Sequence, residues 1–338
     1  MTVSVLSPGV LSSFQDLGRH GCQHLGVPVG GAMDNRAHRL ANLLVGNPED
    51  EATLEITLTG PTLRFNQAAC IAISGANLSA TINRQAVPNN RPLILRAGDV
   101  LAFGPRTAGT RAYIAWHGGI RLPAVLGSRS TYLRGQFGGY KGRALKKDDT
   151  LTIRYELAPQ ALDELAAELW KLKVYLPAIL GVMPRNAIRV LRGADAKLFT
   201  AQSVDDFFNT EYRISANSDR MGYLLNGAKL ALENSRQLLS EATSFGTIQV
   251  PHDGSPIVLM ADRQTTGGYA KIAHIATVDL SAVAQYMPGE AIRFNEIELS
   301  HAQQLDNQRE EAFGRLYQTL TPLRQLLEHY REERHDHA

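Results

Sequence analysis

Residues 240–275 read SEATSFGTIQVPHDGSPIVLMADRQTTGGYAKIAHI, and this stretch decides the predicted fold. A β-branched run at 247–250 is followed by a proline, an Asp-Gly pair at 253–254 and a continuous apolar run at 257–260. Short apolar runs bounded by turn residues are typical of strands joined by tight connections. The stretch therefore predicts a strand, a turn, a second strand, a polar loop and a third strand.

The polar loop at residues 262–269 has the sequence DRQTTGGY. Its two adjacent glycines let the backbone approach a ligand closely and present consecutive N–H groups, while its carboxylate, amide and hydroxyl side chains offer acceptors. This composition favours a small, flat, amide-like ligand that both donates and accepts hydrogen bonds. The alternative is a hairpin loop whose polar side chains satisfy only their own backbone.

Composition sets the class of protein. The chain has 338 residues, 44% of them hydrophobic and 20% charged, with a formal net charge of +2, which is ordinary for a globular protein and predicts neither nucleic-acid nor membrane binding. No apolar run reaches transmembrane length, and the N-terminus has no signal-peptide pattern. The only cysteines, Cys22 and Cys70, are too few for a disulfide framework, so a cytoplasmic location is expected.

The remaining pattern predicts a mainly β fold with a few helices. Short strands punctuated by turns fill residues 54–103. A weak repeat of a polar turn leading into a strand recurs as RAGDVLAF at 96–103, KKDDTLTI at 146–153 and MPGEAIRF at 287–294, which indicates related β modules.

Helical periodicity appears in three places. Asp34 is a plausible N-cap for a helix that ends near Gly46, residues 159–173 form an amphipathic helix, and residues 301–334 form a long helix that Pro322 should break. These elements divide the chain into an N-terminal β domain (1–158), a helical linker (159–185), a C-terminal β-barrel domain (186–298) and a helix with a tail (299–338).

The sequence lacks the motifs of several well-known catalytic and metal-binding sites. HExxH, CxxC, GxSxG and P-loop patterns are absent, and the histidines are dispersed, so no metal site is predicted. The Gly-rich loop at 135–143 does not follow a strand and open a helix, as a phosphate-binding loop must, so no nucleotide-binding site is predicted here. Any ATP chemistry must therefore take place in another polypeptide. Lys271 lacks a Met-Lys-Met context, so the chain is not expected to carry biotin covalently.

Four segments closely resemble the biotin-dependent carboxyltransferase family, which includes the second subunit related to allophanate hydrolase and the urea carboxylases. They are GRHGCQHLGVPVGGAMDNRAHRLANLLVGNPEDEATLEITLTGPTLRF (18–65), SRSTYLRGQFGGYKGRAL (128–145), SANSDRMGYLLNG (215–227) and IQVPHDGSPIVLMADRQTTGGYAKIA (248–273). The resemblance implies cyclophilin-like β-barrel modules in two domains.

Within that family, the sequence is most similar to the C subunits of bacterial 5-oxoprolinases. This resemblance implies ATP-dependent opening of 5-oxo-L-proline by water to L-glutamate, with ADP and phosphate as the other products, and activity only together with the B and A subunits as partners. One alternative is the carboxyltransferase subunit of a biotin-dependent urea or amide carboxylase. Another, also suggested by related proteins, is a non-catalytic kinase antagonist or scaffold.

Resemblance and loop composition together predict the site residues. The main-chain N–H groups near Gly267 would bind an amide carbonyl as an oxyanion hole does, and Asp262 or Gln264 would accept the amide N–H. The predicted catalytic residues are Asp262, Gln264, Thr266, Gly267, Gly268 and Lys271, and the predicted substrate-binding residues are Asp34, Arg220, Met221, Gln249, Thr265 and Tyr269. Three positions depart from the family pattern and leave the substrate open, namely Leu224, Phe245 and Ala270.

Overall fold

The computed structural model describes residues 2–181, 187–234 and 238–331, and the chain divides into two compact units. The first unit comprises Met1–Gly18, Asn35–Leu180 and Ala312–Ala338, and the second comprises Arg19–Asp34 and Gly181–Glu311. The Gly-rich segment that precedes the first helix therefore belongs to the second unit. The sequence-based domain boundaries stay a prediction, and the predicted C-terminal tail lies outside the described residues.

The first unit is built on two antiparallel sheets. Its strands are β1 (Thr2–Ser7), β2 (Leu11–Gln15), β3 (Thr53–Thr57), β4 (Thr62–Phe65), β5 (Ala69–Asn77), β6 (Thr81–Ile82), β7 (Gln85–Ala86), β8 (Pro92–Leu95), β9 (Val100–Ala102), β10 (Ala108–Trp116) and β11 (Thr150–Thr152). One sheet has the order β11-β1-β4-β9-β6-β7, and the other has the order β2-β3-β10-β5-β8. Alternate residues of both sheets, among them Val3, Phe65, Ile71 and Trp116, share one buried core.

Two helices accompany these sheets. Helix α1 (Asn35–Leu43) packs on β5 and β10 through a buried face, and α2 (Leu162–Lys171) follows a short 3₁₀ turn at Pro159–Ala161. Both helices lie where the apolar periodicity predicts them. Asp34 directly precedes α1, and its carboxylate accepts a hydrogen bond from Gln285 Nε2 at 2.7 Å. Its role as the N-cap stays a prediction.

The second unit contains an eight-stranded sheet that curls into a nearly closed barrel. The strands of this sheet are β12 (Ile188–Arg192), β13 (Tyr212–Ile214), β14 (Gly222–Asn226), β16 (Thr247–Val250), β17 (Ile257–Leu259), β19 (Ala270–Ile275), β20 (Ala291–Ile292) and β21 (Phe294–Glu296), and β15 (Glu241–Ala242) and β18 (Thr266–Gly267) form a separate two-stranded sheet. The sheet order is β20-β13-β14-β17-β16-β19-β12-β21. Only Arg293 separates the two edge strands along the chain, so the sheet must bring its opposite edges together.

The barrel encloses one apolar core. Helices α3 (Ala201–Asn209) and α4 (Thr277–Val283) complete the unit, and α5 (Leu299–Thr319) and α6 (Thr321–His329) follow it. The break between α5 and α6 lies at Leu320, and Pro322 occupies the first turn of α6, which confirms the predicted interruption. The predicted mainly β fold class is confirmed. Among the described residues, no helix is both long and apolar enough to cross a membrane.

The three sequence repeats adopt the same local structure. In each repeat the N–H of the fourth residue donates to the carbonyl of the first, with N···O distances of 3.1, 3.2 and 3.1 Å, and the third residue has a positive φ angle. The fourth residue's carboxylate then accepts the first residue's N–H. The carboxylates are those of Asp99, Asp149 and Glu290. The repeat is therefore a carboxylate-closed turn that leads into a strand.

Candidate functional site

The loop at 262–269 lies above the barrel strands as one arm of a two-stranded sheet. Strand β18 pairs with β15, with Gly267 opposite Glu241. Thr243 N donates to Thr265 O at 3.1 Å, and the alternation of an antiparallel ladder then directs the Gly267 N–H to the Glu241 carbonyl. The amide of the first glycine is therefore committed within its own sheet, which the sequence did not predict.

The second glycine is arranged differently. Gly268 follows the end of β18, and its N–H donates no hydrogen bond within the described part of the chain. Gly268 lines a cavity of about 290 Å³ together with Tyr269, Ala270 and His252. Apolar side chains (Leu230, Leu232, Leu238, Val250) form the rest of its interior, and Lys229 and Asp253 stand among its polar lining residues. The cavity thus joins an apolar pocket to an uncommitted amide donor, as small-molecule sites commonly do.

Tyr269 and His252 form one aromatic side of this cavity. Their ring centroids lie 5.8 Å apart with an interplanar angle of 89°, the edge-to-face arrangement that aromatic pairs prefer. Tyr269 is 41% exposed, so its ring and hydroxyl can reach a ligand.

A second group of polar side chains lies on the outer face of the barrel, beneath the β15–β18 sheet. Gln249 on β16 stands opposite Lys271 on β19, whereas their neighbours Ile248 and Ile272 belong to the barrel core. Side chains alternate between the two faces of a strand, so Gln249 and Lys271 point away from that core. A Cβ on Gly267 would lie 3.2 Å from Gln249 Oε1, which places this glycine directly against the glutamine.

Two glutamine amides in this group have no hydrogen-bond partner among the described residues. Gln249 is buried yet its side-chain amide makes no such bond, and neither of its polar atoms is fully enclosed. The side-chain amide of Gln264 is likewise unbonded and lies near Gly267, with Nε2 3.5 Å from the position of a Cβ there. A primary amide can donate and accept at once, which is the complement of a substrate amide.

Lys271 borders the same group. Its Nζ lies 2.6 Å from Glu241 Oε2, while its main-chain N–H donates to Asp195 at 3.1 Å. Hydrogen bonding from Lys271 lowers the pKa of the exposed Glu241 carboxyl. Burial, followed by the nearby Lys271 charge, lowers the pKa of His274, whose Nδ1 lies 3.1 Å from Thr247 Oγ1, so His274 is neutral near pH 7.

Asp262 and Arg220 bind each other. Arg220 Nε lies 2.9 Å from Asp262 Oδ2 and Nη2 lies 3.0 Å from Oδ1, and both side chains are buried. Arg220 Nη2 also donates to Gly31 O at 2.7 Å, and Gly30 N donates to Ala261 O at 3.2 Å. The pair therefore fastens the Gly-rich segment to the start of the loop.

The other predicted residues are distributed around these groups. Thr265 and Thr266 belong to the β15–β18 arm, with Thr266 exposed. Met221 N donates to Asp219 Oδ1 at 2.7 Å, beside Arg220, and Asp34 accepts a hydrogen bond from Gln285 Nε2. No group of three or more metal-ligating side chains occurs within residues 2–181, 187–234 and 238–331.

Sequence reasoning missed Arg263. The residue is buried, and within the described part of the chain its guanidinium donates only to Thr243 O and Met260 O, each at 3.4 Å. The preceding residue, Asp262, forms no ion pair with it among the described residues. Asp262 pairs instead with Arg220, and no pattern in the local sequence identifies Arg220 as its partner.

The carboxyltransferase domain family, subdomains A and B, matches residues 25–296. The chain belongs to this family. Among curated relatives, the C subunit of the 5-oxoprolinase from Haemophilus influenzae is 36% identical over 91% of this chain and 95% of its own length. The protein of the same name from Escherichia coli K12 is 38% identical over 89% of this chain and 93% of its own length. These matches confirm the resemblance drawn from the four segments.

A solved structure extends the similarity to the fold. The urea carboxylase of Kluyveromyces lactis superposes with a TM-score of 0.83 at 33% identity, covering 93% of this chain. This carboxyltransferase family member spans only 29% of that longer protein, so the comparison concerns one part of the urea carboxylase.

Proposed function

We propose that this chain is the C subunit of an ATP-dependent 5-oxoprolinase, which opens 5-oxo-L-proline with water to give L-glutamate while ATP is converted to ADP and phosphate. Two relatives that carry the name of the 5-oxoprolinase C subunit match this chain over nearly their whole length, which supports the assignment. The chain acts with the B and A subunits, and the ATP is bound by a partner, because no nucleotide-binding motif occurs in this sequence.

The observation that carries the proposal is the uncommitted Gly268 amide at the wall of the 290 Å³ cavity. A main-chain N–H aimed at a carbonyl oxygen stabilises the negative charge that develops there when water attacks. The Gln249 and Gln264 amides lie beside Gly267, the residue before Gly268, and would offer the matching donors and acceptors for the ring N–H and C=O. Thr265, Thr266 and Tyr269 border the ligand, and Lys271 adds positive charge beside it.

Asp262 and Arg220 have a positioning role in this proposal. Both carboxylate oxygens of Asp262 accept hydrogen bonds from Arg220, so the pair holds the loop and the segment at Gly31 in place. Asp34, bound to Gln285, and Met221, next to Arg220, support the same region. The reacting amide is then bound by the glycine amide and the glutamines.

The test is turnover by the reconstituted complex. Wild-type chain combined with the purified A and B subunits should give ATP hydrolysis that depends on 5-oxoproline, and omission of this chain should abolish it. In Gly268→Val, the new side chain begins 3.1 Å from Leu238 O and disturbs the amide, so turnover should fall by about 100-fold, the loss seen when one oxyanion donor is removed. Gly314→Ala, on an open helix surface, is the matched control and should keep full activity.

A second candidate is the carboxyltransferase step of a biotin-dependent urea or amide carboxylase. The structural similarity to K. lactis urea carboxylase favours it, and the two glutamine amides suit the ureido ring of biotin as well as a lactam. Biotin that a partner protein carries already carboxylated on its ureido nitrogen would supply the carboxyl group and leave as biotin. A streptavidin blot of the proteins that co-purify with this chain separates the two functions, because only the carboxylase requires a biotinylated partner. If partner proteins co-purify with this chain but the complex shows neither 5-oxoproline-dependent ATP hydrolysis nor carboxylation, the chain would be a non-catalytic scaffold.

A further inference from the structure

Arg263 is a buried cation with no carboxylate partner among the described residues. The residue is only 9% exposed. Nε donates to Thr243 O and Nη1 to Met260 O, both at 3.4 Å, which is beyond the usual length of an N–H···O hydrogen bond. Asp262, the preceding residue, gives both of its oxygens to Arg220.

This arrangement is energetically unfavourable for the chain by itself. A buried charge loses the favourable free energy of hydration, and without an opposite charge nearby no ion-pair attraction offsets that loss. Burial accordingly lowers the pKa of the Arg263 guanidinium, and the nearby Asp262 charge acts in the opposite direction. A guanidinium still stays protonated at pH 7, so the site favours the binding of an anion.

The cation adjoins the residues proposed to bind the amide. Thr243 connects them, because its carbonyl accepts from Arg263 and its hydroxyl donates to the Gln264 carbonyl. The Thr243 methyl group also lies 3.2 Å from the position of a Cβ on Gly267. Thr243 therefore contacts both the Arg263 guanidinium and the segment that contains Gln264 and Gly267.

We propose that Arg263 binds the carboxylate of the substrate and thereby selects cyclic amides that carry a carboxylate beside the ring nitrogen. The inference rests on the proposed function and narrows its substrate class. A planar guanidinium pairs with a carboxylate through two parallel hydrogen bonds and gains orientation as well as affinity. Urea and other amides without a carboxylate leave the arginine unpaired, so one residue discriminates between the two classes of amide.

The experiment compares two ligands and two proteins. Calorimetric titration measures the Kd of 5-oxoproline and of 2-pyrrolidinone, the same lactam without the carboxylate, for wild type and Arg263→Gln in the complex with the partner subunits. In Arg263→Gln the Kd of 5-oxoproline should rise about 10- to 100-fold, as expected for the loss of a charge-assisted hydrogen bond, while the Kd of 2-pyrrolidinone changes less than about twofold. Arg263→Lys should recover part of the loss.

Controls separate this role from a structural one. Arg213→Gln, at an arginine that is 64% exposed, should leave both Kd values unchanged. Arg263→Gln should unfold at the wild-type temperature or above, because an uncompensated buried charge has been removed. Equal weakening of both ligands, or no preference of the wild type for 5-oxoproline, would overturn the inference.

Two further outcomes are distinguishable. Failure of Arg263→Gln to associate with the partner subunits would assign the guanidinium to a partner's carboxylate and overturn the inference. A wild-type complex that shows the ligand discrimination but no 5-oxoproline-dependent ATP hydrolysis would contradict the proposed function and leave the carboxylate site supported.

Discussion

Arg220 and Asp262 form a buried side-on pair, with Nε–Oδ2 and Nη2–Oδ1 distances of 2.9 and 3.0 Å. The two residues are 42 positions apart, and the same guanidinium also binds Gly31 O at 2.7 Å. One arginine therefore organises three separate parts of the chain, and the orientation of the loop at 262–269 depends on it.

Asp262→Asn should lower the free energy of unfolding by about 3–5 kcal/mol, because it leaves the buried Arg220 charge uncompensated. Urea denaturation followed by circular dichroism measures the change. Glu296→Gln is the control, since the Glu296–Arg192 pair is about half exposed and should contribute no more than about 1 kcal/mol. Similar small losses in both variants would show that the buried pair does not stabilise the loop.

Asp16 predicts a pH dependence of stability in the first unit. Burial alone would raise the pKa of its carboxyl, but hydrogen bonds from Ser130, the Arg129 and Gly18 N–H groups and Ser128 together lower it. Since the folded pKa lies below the ordinary value of 3.8, the stabilisation is present above that value and is lost as the pH falls through the folded pKa.

Asp16→Asn should therefore unfold at a lower urea concentration at pH 7, and the difference from wild type should shrink below about pH 4, where the wild-type carboxyl takes up its proton in the unfolded chain. Unfolding midpoints measured between pH 3 and pH 7 test this. A difference that stays constant over the whole range would mean that the charge of Asp16 contributes nothing.

Local sequence patterns predicted much of the fold, whereas side-chain partners in the site were not predictable. The strands at 247–250 and 257–260 and the break at Pro322 follow from short-range rules of composition and backbone geometry. By contrast, the partner of Asp262 and the commitment of the Gly267 amide depend on residues brought together by the barrel. Arg263 was overlooked for the same reason, because its isolation is visible only once Asp262 is seen to face elsewhere.

The three-fold repeat was visible in the sequence, but the differing environments of its carboxylates were not. Asp149 is buried and accepts two hydrogen bonds from Arg143 at 2.7 Å in addition to the turn N–H, whereas Asp99 accepts one side-chain hydrogen bond, from Asn83. Asp149→Ala should cost about 2–3 kcal/mol of unfolding free energy and Asp99→Ala about 1 kcal/mol. Equal losses in urea denaturation would mean that only the shared turn hydrogen bond matters.

Gly267→Ala tests the glutamine side of the proposed site without disturbing the backbone. The φ angle of Gly267 is not in the left-handed region, so alanine fits the strand, and stability should change by less than about 1 kcal/mol. The added methyl group would lie 3.2 Å from Gln249 Oε1, closer than an ordinary van der Waals contact, and must displace that amide.

The variant should therefore keep its fold and its association with the A and B subunits while 5-oxoproline turnover falls at least about 10-fold, since one misplaced binding group costs on the order of 1.4 kcal/mol or more in the transition state. Steady-state ATP hydrolysis and analytical gel filtration measure the two properties. Gly314→Ala adds the same methyl group at a position where no described residue beyond its own helix backbone lies within 4 Å, and it should match wild type in both properties. Full turnover by Gly267→Ala would remove the position of Gln249 from the mechanism, because a displaced amide cannot be the group that binds the substrate.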